Sequence, residues 1–344
     1  MHKPARIWLG VFTAGFAVIV ALFLVTLFTQ PAEGGLTRIG RVSETAFGWR
    51  SVPPPIPMTA VRGWEPAEAD ILVIGDSFSM YYAWQSPLVA AGYKVATTHW
   101  DRTGPLCTDF PAWLQSIGFH GRLVILESIE RLLPERLEQA QACATMARRP
   151  LKSLPVPTGS PSQPPPPRRL NWTSPLMTGL VTWRNTRQIV RTDGVVDVEH
   201  ERFGDYIFSS PVAEGCRQFS SPVCDKSLFL TADRTNRELQ PADADFMAAF
   251  ARRAAPVQVM WMVVPNKTTV YLDTRNARAF ADRADALGIG PDLFAMAQAQ
   301  RLNIIDLYWP NDTHWSMQGQ VYFGGRMREA VQAALAVPSS RERP

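Results

Sequence analysis

The stretch Ile71-Leu-Val-Ile-Gly-Asp-Ser-Phe-Ser79 constrains this chain more than any other. Four consecutive aliphatics, Ile71 to Ile74, offer water no polar side, which is the pattern of a strand covered on both faces. Such strands occur in parallel sheets sandwiched by helices. Gly75-Asp76-Ser77 then turns into an apolar, helix-compatible run. Ser77 is thereby delivered to the carboxyl end of a strand, where open α/β sheets bind ligands, and to a helix start whose unpaired N–H groups can hold an oxyanion. A serine hydroxyl is a weak nucleophile at neutral pH, so chemistry at Ser77 requires a base from elsewhere.

The rest of the chain repeats this alternation. A helix over 80–91 ends at Gly92, and Tyr93 to Thr98 makes a second strand; Leu123 to Leu126 makes a third, followed by helical spacing over 132–149. After residue 240 come a helix over 241–255, an apolar strand over 257–264, helical stretches over 273–287 and 291–301, a strand over 302–307 and a final helix over 316–336. Strands alternating with helices imply an α/β fold, a three-layer α/β/α sandwich with a mostly parallel sheet. The pattern lapses at about 150–235. Lys152 to Arg169 is Pro-rich and irregular, and 170–230 reads as an insertion with small hairpins such as Val195 to Val198. Its Trp172, Trp183, Tyr206 and Phe208 suit either stacking on sugar rings or a small core. With 344 residues, 46% hydrophobic and 19% charged, the chain can bury one sizeable core. Its net charge of +4 is scattered, without the basic stripe that nucleic-acid binding requires.

No ionisable side chain interrupts Ile7 to Phe28, about 22 residues, enough at 1.5 Å each to cross a hydrocarbon core. The run is long for a signal-peptide core and its exit, Thr29 to Glu33, is a poor cleavage site, so residues 1–30 read as an uncleaved anchor in preference to a cleaved signal. Lys3 and Arg6 before it keep the N-terminus cytoplasmic and export the remainder. Residues 31–69, with Gly34-Gly35 and Pro53-Pro54-Pro55, read as a stalk, and 70–338 as the catalytic domain. Four cysteines suit an oxidising compartment: Cys216 with Cys224 and Cys107 with Cys143, or four buried thiols. No metal-ligand spacing is present.

The base for Ser77 is found in Trp309-Pro-Asn-Asp-Thr-His-Trp-Ser316. His314 falls in a loop after the expected last strand, on the rim that Ser77 occupies, and Asp312 stands two residues before it. The chemistry assigns His314 as general base and then acid, with Asp312 fixing its tautomer. Of the five histidines, His2 is cytoplasmic in this topology, and His99, His120 and His200 have no acid two positions upstream. The same rim should carry Trp100, Arg102 and Gly104 after the second strand, and Glu127 with Arg131 after the third; the last two serve either substrate binding or helix capping.

Gly75-Asp76-Ser77 and Asp312-Thr-His-Trp315 together resemble the SGNH (GDSL-like) hydrolase superfamily, and within it the alginate O-acetyltransferase-like branch. Pro265-Asn-Lys267-Thr-Thr-Val-Tyr271 is similar to that branch's Pro-x-Lys-x-x-x-Tyr segment, and Glu127 to Arg131 to its acidic strand exit. The likeness covers roughly 70–149 and 242–335. Ordinary SGNH hydrolases place the acid three residues before the histidine, where this chain has Asn311, and the Gly-x-Asn-Asp block is missing. In the alginate members Asp-x-His precedes the serine, an order reversed here. The resemblance implies an SGNH/flavodoxin-like domain, an oxyanion hole built from the Ser77 N–H and Gly104, and Arg102, Glu127, Arg131, Lys267, Tyr271 and Trp315 around the substrate. It implies a single-pass protein of a bacterial inner membrane with a periplasmic domain, moving acetyl through Ser77, His314 and Asp312 onto an exported polysaccharide without a cofactor. The donor would be a membrane-bound O-acyltransferase. An acetyl esterase with the same triad, or a non-catalytic glycan-binding subunit, are the alternatives.

Overall fold

The computed structural model describes residues 3–162, 164–198 and 206–336. His2 and His200 lie outside them. Seven strands occur among the described residues: β1 (Ile71–Gly75), β2 (Val95–His99), β3 (Leu123–Ile129), β4 (Val196–Val198), β5 (Ile207–Pro211), β6 (Lys226–Leu230) and β7 (Gln258–Val264). The chain divides into two compact units. One comprises residues 1–51, 165–231 and 309–313; the other comprises 52–164, 232–308 and 314–344.

The larger unit is α/β. Its sheet runs β2-β1-β3-β7, and every pair is parallel. β1 and β3 are buried at every position, as continuous aliphatic runs demand when both faces are covered. Leu72, Ile74, Val124 and Leu126 meet Phe110, Trp113, Leu137, Met247 and Phe250 in one core. The chain leaves β1 for β2 on one side while β3 and β7 lie on the other. The carboxyl ends of β1 and β3 therefore flank the point where the winding reverses, the crevice in which α/β sheets place ligands.

Several expected elements differ. The helix over 80–91 shortens to Ser86–Ala90, because Tyr82 takes φ +57° and its hydroxyl donates to the Leu154 carbonyl at 2.6 Å, holding the preceding residues in turns. Residues 302–307 form turns and no strand: Asp306 has φ +53°, and only Tyr308 makes an antiparallel bridge, to Trp315. The third strand runs three residues further than its aliphatic core, through Glu127 and Ser128. The helix after it is Leu133–Gln141.

The smaller unit carries the antiparallel sheet β4-β5-β6 and the helix Thr178–Arg191, which no N-terminal capping side chain announces in sequence. Residues 31–47 are not a free stalk. They form short helices, Gly35–Gly40 and Glu44–Phe47; Leu36, Phe47 and the intervening Val42 are buried with Ile189, Val196, Val198, Ile207 and Leu228. Lys226 is buried, and its Nζ donates to the carbonyls of Ile189, Val190 and Thr192 at 2.9, 3.2 and 2.7 Å, a cation closing a helix C-terminus. Disulfides join Cys107 to Cys143 and Cys216 to Cys224, one in each unit. Opening the 36-residue loop by a Cys107→Ser/Cys143→Ser change should cost about 2–4 kcal/mol, read as a lower urea midpoint with a steeper slope, since the uncrosslinked unfolded chain exposes more surface. The helix Lys3–Leu27 is long and apolar enough to cross a membrane.

Candidate active site

Ser77 opens a single 3₁₀ turn, Ser77–Ser79, directly after β1. The turn leaves no room at Gly75: a Cβ there would lie 2.3 Å from Ser79 Oγ and 2.6 Å from Glu127 Oε2. Asp76 caps the turn, its Oδ1 accepting the Phe78 N–H at 3.1 Å. Its Oδ2 accepts the Ile129 N–H at 2.9 Å and Arg136 Nη1 at 3.2 Å, tying β1 to the end of β3. Arg136 also donates to Ser128 Oγ at 2.6 Å and lies over the Trp100 ring at 4.7 Å.

Glu127 sits behind the turn, fully buried. Its Oε2 accepts the Asp76 N–H and the Ser79 hydroxyl, both at 2.8 Å, and Trp84 Nε1 donates to Ser79 Oγ at 3.1 Å. Burial first, and then the Asp76 charge beside it, push the Glu127 carboxyl well above the ordinary range. Burial would raise Asp76 too, but Arg136, with the bonds from Glu127, Ile129 and Phe78, outweighs it and holds Asp76 below its usual value. The two shifts run in opposite directions, so Glu127 keeps its proton to higher pH than Asp76 does. The Glu127 carboxyl faces this interior cluster, so it anchors the serine turn and is not presented to a substrate.

Ser77 Oγ lies 2.6 Å from His314 Nε2, across 237 residues of sequence. Both side chains are partly exposed. The imidazole is set by Phe78, whose ring centroid is 4.7 Å away, and Phe78 is wedged edge-on against Trp315 at 5.3 Å. Trp315 is fully buried, stacked on Phe323 at 4.1 Å, so it supports the histidine from the core and cannot reach a sugar. Gln320 Nε2 donates to the Phe78 carbonyl at 3.3 Å. Asp312 belongs to the other unit, where its Oδ2 accepts the Gly35 N–H at 2.6 Å. Asn311 is buried there, donating to Glu44 Oε1 at 2.6 Å.

The other expected site residues lie elsewhere. The Gly104 N–H already donates to the Trp100 carbonyl at 2.8 Å, closing a short helix, so it is not a free oxyanion donor. Gly104 does border an open groove of about 250 Å³ with Trp100, Pro105, Leu132 and Gln139. Arg102 donates to the carbonyls of Lys152 and Ser153 at 3.2 and 3.1 Å and so pins the Pro-rich loop. Arg131 pairs with buried Asp233 at 3.1 Å. Lys267 is fully buried, and Tyr271 is buried with its hydroxyl accepting the Tyr308 N–H at 3.4 Å. Among the described residues no cluster of three His, Cys, Asp or Glu is arranged to hold a metal.

The chain matches no known protein family, no curated protein and no solved structure. The site therefore speaks through its own geometry. Asp76, Ser79, Phe78, Arg136 and Gln320 support the serine and histidine; in the sequence Asp76 stood out only as part of Gly75-Asp76-Ser77, and none of the five was given a role. One signal was available: an aspartate inside a buried run needs a cation, and Arg136 stands on the first helix after β3.

Glu130 adds a pH dependence. It is buried, accepts the Asn266 N–H and Asn276 Nδ2 at 2.7 Å each, and burial lifts its pKa from 4.5 to about 7. The folded state then holds a proton that the unfolded chain releases near pH 4.5. Stability from this group is complete below that value and falls as pH rises towards 7, by up to about 3 kcal/mol. Urea titrations of Glu130→Gln should show this slope between pH 4.5 and 7 flattened; an unchanged slope would remove Glu130 from the account.

Proposed function

We propose that this protein is a serine acyltransferase of SGNH type, a membrane-anchored O-acetyltransferase whose three-layer α/β/α domain acts on an exported polysaccharide. The observation that carries the reading is the 2.6 Å pairing of Ser77 Oγ with His314 Nε2 at the carboxyl end of a central parallel strand. Ser77 Oγ attacks the acetyl carbonyl carbon while its proton passes to Nε2. The tetrahedral oxyanion collapses, the bond to the donor oxygen breaks, and that oxygen takes the proton from the imidazolium. An acceptor hydroxyl then gives its proton to Nε2 and attacks the acetyl-serine; the bond from the acyl carbon to Ser77 Oγ breaks, Oγ takes the proton back from the imidazolium, and the new ester leaves. The turn held by Asp76 presents the Ser77 N–H to the oxyanion. Asp312 is proposed as the acid that orients His314 from its place two residues upstream.

The helix Lys3–Leu27 is proposed as an uncleaved anchor with the N-terminus cytoplasmic, which puts the site in the periplasm. No acetyl-CoA is available there, so a membrane-bound O-acyltransferase would supply the acetyl group. Tethering both partners to one bilayer raises their effective concentration. In p-nitrophenyl acetate turnover with an O-deacetylated oligosaccharide, the transferase acetylates the sugar. Release of acetate to water alone, with acceptor present, would make the protein an esterase; an inert protein that binds glycan would exclude catalysis.

A further inference from the structure

The helix Thr178–Arg191 and the residues leading to it are fastened to the last turns of the apolar helix. Thr26 Oγ1 donates to the Leu176 carbonyl at 2.6 Å and accepts the Gly179 N–H at 3.0 Å, and the Asn171 N–H donates to the Leu27 carbonyl at 2.9 Å. Gly179 permits the approach, since a Cβ there would lie 2.6 Å from the Val25 and Thr26 backbone. The Trp172 and Phe23 rings are 6.2 Å apart. Phe23 stands five residues before Phe28, the end of the apolar run, and so about 7.5 Å inside it along the axis.

Fixed at that depth, the segment exposes Leu170, Trp172, Leu176, Met177, Leu180 and Trp183, with Trp172 66% and Trp183 53% exposed. The helix is not short of packing. Gly179, Thr182 and Ile189 are buried on its other side and Lys226 caps its end. The exposed side is apolar from Leu170 through the first turns of the helix to Trp183, and cations follow in the later turns: Arg184 and Arg191 are exposed, and Arg187 lies over the Trp183 ring at 4.9 Å. Aromatics and aliphatics at the boundary depth, rimmed by arginines that reach phosphates, are the composition of an interfacial helix.

We propose that residues 170–183 are a second membrane contact, a platform embedded in the headgroup and upper acyl region of the leaflet where the apolar helix ends. This rests on the reading of Lys3–Leu27 as a spanning helix and is independent of the acyl-transfer chemistry. The bilayer is the occupant because the segment is continuous with the span and set at its boundary depth.

The test uses the full chain in phosphatidylcholine vesicles whose acyl chains are brominated near the headgroup, since bromine quenches tryptophans that touch it. Trp172→Phe/Trp183→Phe should lose roughly two thirds of the bromine-quenched emission and Trp8→Phe the rest, as three interfacial tryptophans require. Exposed aromatics replaced by phenylalanine leave folding intact. Quenching unchanged in the double variant but reduced in Trp8→Phe would keep the span and overturn the platform. Absence of quenching in every form would overturn both. A crosslinked second copy through Trp172 or Trp183 with no lipid quenching would assign the face to self-association and equally overturn the proposal.

Discussion

Replacing Ser77 by alanine should lower acetyl-ester turnover by about 10⁴-fold or more and should leave the urea midpoint where it was. The two halves of this expectation come from the same geometry. The Ser77 hydroxyl is partly exposed, and its hydrogen bond is to His314 Nε2 at 2.6 Å, so its removal costs the fold little. The turn is held by its neighbours, Asp76, Ser79 and Phe78, none of which the substitution touches. His314→Ala should show a loss of the same order, and the double substitution should be no worse than either single one, because serine and base act as a unit. Additive losses would mean that the two residues do not share a step.

The second large effect is on stability. Asp76→Ala should cost about 3–5 kcal/mol, measured as the fall in urea unfolding free energy, because it leaves the Arg136 guanidinium nearly buried without its carboxylate. It also strips acceptors from the Phe78 and Ile129 N–H groups. With the Asp76 charge gone, one cause of the raised Glu127 pKa disappears, so the variant should titrate Glu127 at lower pH than the wild type does. Combining Asp76→Ala with Arg136→Met should restore part of the loss, as the orphaned cation is removed. A cost below about 1 kcal/mol for Asp76→Ala would show that the pair is not what joins β1 to β3.

What the sequence disclosed follows the range of the forces involved. β1, β3 and β7 were legible because strands covered on both faces must be continuously apolar, and the helix Pro241–Arg253 because proline opens it and the apolar spacing persists. Leu302 to Leu307 carries enough aliphatics to imitate a strand, yet Ile305 is 41% exposed and no neighbouring strand supplies a ladder. Residues 31–47 looked like a stalk because their partners, Ile189, Ile207 and Leu228, come from about 140–190 residues further along the chain, and no local pattern records such pairing. The serine and histidine could be singled out by residue type and position. Lys267, Tyr271 and Trp315 carried motif-like spacing too, but burial turned them into framework, and burial is a property of the whole fold.

The central claim is that Ser77 carries an acyl group. Mixing the protein with p-nitrophenyl acetate, quenching in acid during the pre-steady-state burst and mapping the acetyl group by peptide mass spectrometry tests it most directly. The account predicts one acetyl on the peptide containing Ser77, lost in Ser77→Ala and slow to form in His314→Ala. An unmodified Ser77 peptide during turnover, or an acetyl on another residue that survives Ser77→Ala, would contradict it.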